Sequence, residues 1–206
     1  MNPQVVDLIS QEAADLKERI LVVEAEAIPH QEGVFARTEE EILELISRHG
    51  SYQVRNNDLE GDEHFKQVIP YIVVKSEDKY LFATRSSDGS ESRLRGKGLI
   101  GFGGHVRAED VEGKSLVEWG QRELEEELEA KSEVLSIEFR GIINRLADDV
   151  DLVHVGLLIV VEVGGQDVEI REKEKFDEPE WLSLGELKKT GHLEGWSQLV
   201  VESGLI

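Results

Sequence analysis

The chain has 206 residues, a length typical of one domain or of one domain with an extension. Its formal net charge of −21 argues against a protein that binds DNA or RNA backbones, because such binding needs clustered lysine and arginine side chains. The lack of cysteine excludes disulfides and a thiolate nucleophile, and the lack of a long apolar run or of a signal-like N-terminus predicts a soluble, cytoplasmic protein with no membrane partner.

The first 64 residues combine helical patterns with a short strand. Apolar residues recur at helical spacing between positions 4 and 20, and residues 21–23 predict a strand. Thr38 and Glu41 have the spacing of a capping box, in which each side chain meets the backbone N–H of the other. We expect residues 1–64 to be an N-terminal extension that packs on the main domain, forms a homodimer or covers the site as a flap, with packing or dimerisation favoured.

From residue 66 the pattern changes to that of β-strands. Residues 67–74 are almost continuously apolar and β-branched, as in a strand buried on both faces, and Pro70 within them predicts an edge or a bulge. A turn at 76–79 returns the chain along 80–84 as a hairpin. Later predicted elements are strands at 99–102, 134–143 and 152–163, an acidic turn at 148–151, a polar loop at 164–179 and helices that begin near 183 and 196.

An acid-rich helix lies between the strands predicted at 99–102 and 134–143. Its inward stripe consists of Val117, Gly120, Leu124 and Leu128. Glu123, Glu126 and Glu127 have the spacing i, i+3 and i+4, which brings helical Cβ atoms to about 5–6 Å from one another. The carboxylates repel each other there, and a divalent cation such as Mg²⁺ would turn that repulsion into binding. The alternative is a solvated acidic face, which is common in a chain this acidic.

A glycine pair precedes this helix. Glycine at Gly103-Gly104, directly after a strand, lets the backbone approach another group closely or adopt positive φ. A strand, a glycine pair, a loop and the helical run Arg122-Glu123-Leu124-Glu125-Glu126-Glu127 together resemble the Nudix box. Residues 179–184, Pro-Glu-Trp-Leu-Ser-Leu, resemble the segment that closes a Nudix domain. The resemblance covers about residues 65–190 and implies an α/β fold, an α/β/α sandwich around a mixed sheet, for a domain at 65–206.

The sequence departs from the Nudix pattern at three places. The gap between the glycine pair and Arg122 is four residues longer than in the pattern, so residues 111–114 are expected to lengthen the loop. The isolated glutamate of the pattern has no clean equivalent, because Asp110 falls there when counted from the glycine and Lys114 when counted from the arginine. Glu129 replaces the closing glycine, so the helix is expected to end about a turn later. None of these changes removes an implied metal ligand.

The resemblance implies a metal-dependent pyrophosphohydrolase that cleaves a nucleoside diphosphate linked to another moiety. The implied ligands of Mg²⁺ or Mn²⁺ are the Gly103 carbonyl and the carboxylates of Glu123, Glu126 and Glu127. The implied catalytic residues are Glu123, Glu126 and Arg122, the last of which would orient a box glutamate. The general base stays open between Glu123 and an acid of the 165–178 loop.

The expected partner is a small phosphorylated substrate, a nucleotide derivative, because a few local basic residues can offset its charge. Arg95 and Lys97 could contact phosphate or could belong to a solvated loop, and the two interpretations are about equal. Gly104 and His105 are further substrate-binding candidates, although a loop histidine without a role is slightly favoured for His105. His154, within a strand, is predicted to be a packed, hydrogen-bonded residue.

Other functions fit the sequence less well. The glycines at 98–104 lack the spacing of a dinucleotide-binding loop, and a phosphate-binding Walker loop would need glycine at Ala108. No Gly-x-Ser-x-Gly elbow exists, and an isoprenoid-diphosphate isomerase of similar fold relies on a cysteine. The alternative of another class is a non-catalytic Nudix-like sensor that binds a nucleotide without consuming it.

Overall fold

The computed structural model describes residues 18–86, 96–111, 114–171 and 173–206. The strands are β1 (Arg19–Glu24), β2 (Gly33–Ala36), β3 (Gly50–Val54), β4 (Phe65–Ser76), β5 (Lys79–Thr84), β6 (Gly98–Leu99), β7 (Gly101–Phe102), β8 (Leu128–Ala130), β9 (Val134–Asn144), β10 (His154–Val163), β11 (Val168–Ile170) and β12 (Glu180–Ser183). The helices are α1 (Glu39–His49), α2 (Ala108–Val111), α3 (Leu116–Trp119), α4 (Gln121–Glu127), α5 (Asp149–Leu152), α6 (Leu184–Leu187) and α7 (Gly195–Ser203). Among the helices formed by these residues, none combines the length and the apolar character that crossing a membrane would need.

The main sheet is mixed and is centred on β4 and β10. These two strands pair in parallel from His154 opposite Gln67 to Glu162 opposite Lys75. The main path across the sheet runs β12-β5-β4-β10-β9-β2. Along this path the strand pairs β4 and β5, β5 and β12, β9 and β10, and β2 and β9 are antiparallel. The predicted α/β class with a mixed sheet is therefore confirmed.

Helices cover both faces of this sheet. On one face, Ile72 and Val74 of β4 pack in a core cluster with Leu124 of α4. On the other face, the alternate residue Val73 packs in a cluster with Val200 of α7. Because successive side chains of a strand point to opposite faces, the apolar run of β4 supplies both cores at once. The resulting α/β/α sandwich is the predicted one.

The N-terminal strands join the main sheet. β1 pairs with β4 and β3, and β2 pairs with the end of β9. The predicted capping box of α1 is present, since Glu41 N–H donates to Thr38 Oγ1 and Thr38 N–H donates to Glu41 Oε2 at 2.7 Å. Most of the helix predicted at 4–20 lies outside the described residues. Its last two positions are wrong, because Arg19 and Ile20 belong to β1, where Ile20 is fully buried.

Pro70 does not mark an edge strand. β4 lies in the middle of the sheet, but β1 pairs with it only up to Gln67 and β7 only from Ile72 onward. Pro70 therefore occupies a gap between two short partners on one side of β4. Its carbonyl points into that gap, toward Gly103, so the N–H that proline lacks would also face the gap and not the β10 ladder.

The acid-rich helix ends earlier than expected. α4 stops at Glu127, and Leu128–Ala130 pairs with Val168–Ile170 as β8 with β11. The prediction of an extra helical turn was therefore wrong, as was that of an irregular loop throughout 164–179. The pairing of β8 with β11 accompanies both differences, and it places Leu128, Val168 and Ile170 together in the core cluster beneath α4.

Candidate active site

A close backbone contact fixes the glycine pair. Gly103 follows β7, and a Cβ atom placed on it would lie 1.8 Å from the Pro70 carbonyl oxygen. Its φ of +157° is also one that side-chain-bearing residues rarely adopt. Because the obstacle is backbone, no side chain can be accommodated without moving β4 or the loop. The loop of Gly103, Gly104 and His105, called the glycine loop below, is thereby held against the central strand.

Gly104 brings the glycine loop against the acid-rich helix. A Cβ atom on Gly104 would lie 2.5 Å from Glu123 Oε2 and 2.7 Å from its carboxyl carbon. A side chain at position 104 would therefore occupy the space of the Glu123 carboxylate. We call α4 the box helix from here on. Its distance from the sheet is set by Gly120, where a Cβ atom would lie only 3.1 Å from Pro70 Cβ.

The three acidic side chains of the box helix differ in exposure. Glu123 is 9% exposed, Glu127 is half-buried and Glu126 is exposed. Burial raises the pKa of Glu123, and the nearby Glu126 carboxylate adds to this, whereas Arg122 acts in the opposite direction. The site therefore holds a largely buried carboxyl whose ionisation is disfavoured by its surroundings, next to another carboxylate.

Arg122 ties the glycine loop, the loop helix α2 and the box helix together. Its Nη2 donates to Asp110 Oδ2 and to the His105 carbonyl, both at 3.0 Å. Its Nη1 lies 2.6 Å from Glu123 Oε1 and 3.0 Å from Glu126 Oε2. Burial lowers the pKa of Arg122, but the Asp110 and Glu123 carboxylates raise it overall, so the guanidinium stays charged.

Asp110 takes the position opposite Arg122. It is 4% exposed, and burial raises the pKa of its carboxyl while the hydrogen bonds from Arg122 and the Arg107 N–H lower it more. The Lys114 carbonyl instead accepts a hydrogen bond from Trp119 Nε1 at 3.2 Å, and the Lys114 N–H donates to the Val111 carbonyl at 3.2 Å. Of the two residues that the pattern left open, Asp110 is therefore the one that contacts Arg122.

A cavity of about 230 Å³ lies beside Gly103. We call it the side cavity, and its lining includes Tyr71, Arg85, Lys97, Arg145, Asp151 and Glu194. Two ion pairs form part of its walls, one between Arg85 and Glu194 and one between Arg145 and Asp151. The site therefore has two adjoining parts, an acid-rich helix end and a polar cavity in which each arginine pairs with a carboxylate and the exposed Lys97 also forms part of the lining.

Comparisons with known proteins show the family to which the chain belongs. No family model matches the chain. It is 40% identical over 160 residues to Protein YmaB of Bacillus subtilis (strain 168), which covers 73% of this chain and 76% of that protein. The crystal structure of Tm1382, assigned to the Nudix hydrolases, is 32% identical and superposes with a TM-score of 0.72 over 89% of this chain and 96% of its own. The chain belongs to the Nudix hydrolase family.

The resemblance inferred from the box residues is thus confirmed for the family and the fold. A more distant solved structure is the bifunctional NMN adenylyltransferase/ADP ribose pyrophosphatase of Francisella tularensis, complexed with AMP and a Mn ion. It shares 14% identity and aligns with a TM-score of 0.48 over 66% of this chain and 40% of its own.

The donors of this Nudix hydrolase fit a hard divalent cation. The candidate ligands are oxygen atoms, from the Gly103 main chain and the carboxylates of Glu123, Glu126 and Glu127, as Mg²⁺ and Mn²⁺ prefer. The absence of a side chain at Gly104 lets the Glu123 carboxylate lie directly against the glycine loop. Within the described residues, no group of three or more histidine or acidic side chains is already gathered as a metal cluster. Arg122 instead pairs with Glu123 and Glu126 there.

The substrate-binding candidates are dispersed. Lys97 is exposed and lines the side cavity, whereas Arg95 lies outside the described residues. Gly104 faces Glu123 and not the cavity. His105 Nε2 lies 3.3 Å from Nε2 of His154, and burial, with the charge of Arg55, lowers the pKa of His105 to about 3. Two neutral imidazoles therefore join the glycine loop to the start of β10.

His154 is hydrogen-bonded, as predicted, but it also lines the side cavity. Its Nδ1 lies 2.7 Å from the Val150 carbonyl, which identifies Nδ1 as the protonated nitrogen and leaves Nε2 to accept from His105. Burial lowers the pKa of His154. The cavity residues that sequence reasoning missed are Tyr71, Arg85, Arg145, Asp151, Glu194 and Trp196. They come from five separate segments and share no spacing that could have connected them.

Proposed function

We propose that this Nudix hydrolase is a metal-dependent pyrophosphohydrolase that cleaves a nucleoside diphosphate linked to another moiety. The observation that carries the proposal is the contact of the buried Glu123 carboxylate with the glycine loop, next to Glu126 and Glu127 on the same helix. Arg122 supplies one positive charge to Glu123, Glu126 and Asp110, so the carboxylates outnumber it, and burying the excess negative charge is unfavourable without a further cation. The arrangement is therefore expected of a binding site and not of a solvated helix face.

Each residue has a distinct role in this proposal. Glu123, Glu126, Glu127 and the Gly103 carbonyl would hold Mg²⁺ or Mn²⁺. The bound metal would neutralise diphosphate charge and activate a water molecule. Arg122 would be a positioning residue, because its guanidinium contacts Glu123 and Glu126 and is itself held in place by an ion pair with Asp110. Lys97, an exposed residue in the lining of the side cavity, would contact a phosphate oxygen.

The acceptor of the water proton is an acidic side chain. Glu123 is one candidate, because burial raises the pKa of its carboxyl toward the range in which it can take up a proton. An acid of the 165–178 loop is the other. A kcat comparison of E123Q with single Asp→Asn and Glu→Gln variants of that loop distinguishes them, since only loss of the base removes the acidic limb of the pH–kcat profile.

The test is hydrolysis of a panel of nucleoside triphosphates, dinucleoside polyphosphates, nucleotide sugars and dinucleotides with Mg²⁺ or Mn²⁺ at several pH values. We expect phosphate or nucleotide release from at least one class. Glu127→Gln should lower kcat by a factor of about 10³, because a charged metal ligand becomes neutral. Glu125→Gln is the matched control, since Glu125 is exposed and only accepts a hydrogen bond from Gln121 on the same helix.

Three outcomes would contradict the proposal in different ways. Full activity in Glu127→Gln would refute the metal assignment. Absence of turnover with every substrate and both metals would refute the enzymatic function. Tight binding of a nucleotide that is recovered intact would identify the protein as a non-catalytic sensor.

A further inference from the structure

Three exposed apolar side chains lie close together on one strand. Val134, Leu135 and Ile137 of β9 are 43%, 56% and 44% exposed. The other large apolar side chains that are exposed in the described part of the chain lie on other segments, at positions 43, 146 and 150. Single exposed apolar side chains are ordinary on a protein surface, whereas a contiguous group of them indicates a surface that another molecule covers.

The same part of β9 is an edge of the main sheet. β10 pairs with one side of β9 from Val134 to Ile143, whereas β2 pairs with the other side only at residues 141–144. Among the described strands, none pairs with residues 134–140 on that second side. Proteins commonly protect such an edge with lysine, proline or a covering segment, and residues 134–140 contain neither lysine nor proline. We call residues 134–140 the free edge.

We propose that the free edge pairs with the free edge of a second copy of this chain, antiparallel and around a two-fold axis. The backbone N–H and C=O groups that each edge presents to solvent would then bond to those of the other copy. The two main sheets would become one continuous sheet. The contact is isologous, because each copy contributes the same residues to it. It does not involve the proposed metal site, so it stands or fails independently of the proposed hydrolysis.

The side chains of the free edge are complementary to themselves. With Ile137 of each copy on the two-fold axis, Leu135 lies opposite Phe139 and Ser136 lies opposite Glu138. Apolar side chains then face apolar side chains, and the serine hydroxyl can donate to the carboxylate. An axis at Glu138 would instead place two carboxylates opposite each other, which is unfavourable. The register centred on Ile137 also leaves residues 141–144 to β2.

The charge of the free edge favours a second copy as the partner. Because the chain has a formal net charge of −21, most contacts between two copies would be repulsive. The free edge has one acidic and one basic side chain, and they pair within the chain, with Arg140 Nη2 2.6 Å from Glu138 Oε2. Two free edges therefore meet without bringing net charge into the contact. A strongly charged partner would find no opposite charge there.

An apolar groove next to the free edge would enlarge the contact. It encloses about 460 Å³ between the box helix and the sheet. Val134 and Ile137 form part of its lining, and Val117, Leu124 and Leu128 line it from the side of the box helix. Since Val134 and Ile137 are exposed, the groove reaches the surface at the free edge. Pairing would remove this apolar surface from water in both copies at once.

Sedimentation velocity of the full chain, over about a hundredfold range of protein concentration, tests the pairing. We expect an equilibrium between one chain and two that shifts toward two as concentration rises. Hydrogen–deuterium exchange should slow at the amides of residues 134–140 over the same range, but not at β12, on the opposite edge of the sheet. A single chain at every concentration would overturn the inference. So would a dimer in which exchange of the free edge is as fast as in the single chain.

Substitutions localise the contact to the free edge. Ile137→Lys would place two ammonium groups together at the two-fold axis, so the dissociation constant of the dimer should rise at least about tenfold. Leu135→Lys is a second test at a more exposed position, and Leu43→Lys, at an exposed apolar residue of α1, is the matched control. Melting temperatures at low concentration establish that the variants fold. An unchanged dissociation constant in folded Ile137→Lys and Leu135→Lys, or equal weakening by Leu43→Lys, would refute the role of the free edge.

Discussion

The box helix and the side cavity lie next to each other but balance charge in opposite ways. At the box helix, acidic groups outnumber the single guanidinium of Arg122, which already bonds to Asp110. In the side cavity, each arginine has its own carboxylate. The first part has an excess of negative charge that a cation would neutralise, and the second has none. The contrast predicts that only the box-helix end of the site needs a cation to balance its charge.

The largest effect is expected from a substitution that disrupts the backbone contact of the glycine loop, which lies at the box-helix end of the site. In Gly103→Ala, the new Cβ atom would lie 1.8 Å from the Pro70 carbonyl oxygen, so β4 or the glycine loop must move. We expect a loss of more than about 3 kcal/mol in the free energy of unfolding and loss of activity. Chemical denaturation measures the first and turnover the second.

Two matched variants sharpen this result. Gly104→Ala meets the Glu123 carboxylate, which is a side chain and can move, so activity should fall more than stability. Gly61→Ala meets no atom within 4 Å and should change stability by less than about 0.5 kcal/mol. Equal stability of all three variants would contradict the proposed close contact at Gly103.

A smaller effect is expected from Arg122→Lys. A lysine cannot reproduce the forked contacts with Asp110, the His105 carbonyl and Glu123. We expect a loss of about 1–3 kcal/mol in stability and a fall in kcat of about 10–100-fold with little change in KM. Arg48→Lys, in the exposed pair with Glu44, should change neither by more than about 0.5 kcal/mol. A change in KM alone would mean that Arg122 contacts substrate.

Gly195→Ala probes the side cavity and should act on KM. A Cβ atom at Gly195 would lie 2.3 Å from Arg145 Nε, so the guanidinium must shift within the cavity wall. Since the obstacle is the end of a long side chain, we expect the fold to persist and KM to rise about threefold to tenfold, with kcat unchanged. A fall in kcat at constant KM would show that the two parts of the site are not separate.

The same contrast explains what could be predicted from the sequence. The box helix is contiguous, and its spacing alone placed Glu123, Glu126 and Glu127 on one helix. The side cavity is assembled by the sheet, because residues of β4, residues that directly follow β5 and β9, and residues at the start of α7 meet there. Neither Arg85 nor Glu194 carries a local signal, since their pairing depends on contacts about a hundred residues apart. The early end of the box helix was missed for a similar reason, because it depends on the pairing of β8 with β11.

The smallest expected effect is on the pH dependence of the free energy of unfolding. Burial lowers the pKa of His154 below that of the unfolded chain, and Arg55 and Lys66 add to this, while the Val150 carbonyl and Glu60 oppose it. Below the unfolded pKa of about 6.5, the unfolded chain therefore binds more protons, so the contribution of His154 to stability is lost as pH falls. We expect His154→Asn to flatten the decline in unfolding free energy between pH 7 and pH 5. An identical decline would show that His154 is not held neutral.

The central claim is that the carboxylates of the box helix bind a divalent cation. Titration of the protein with Mn²⁺, followed by the loss of the electron paramagnetic resonance signal of the free ion, measures this without any substrate. We predict saturable binding in the wild type and in Glu125→Gln, weakened at least tenfold in Glu123→Gln and in Glu127→Gln. Binding of equal strength in all four proteins would show that the ion, if held at all, is held elsewhere, and would contradict the account.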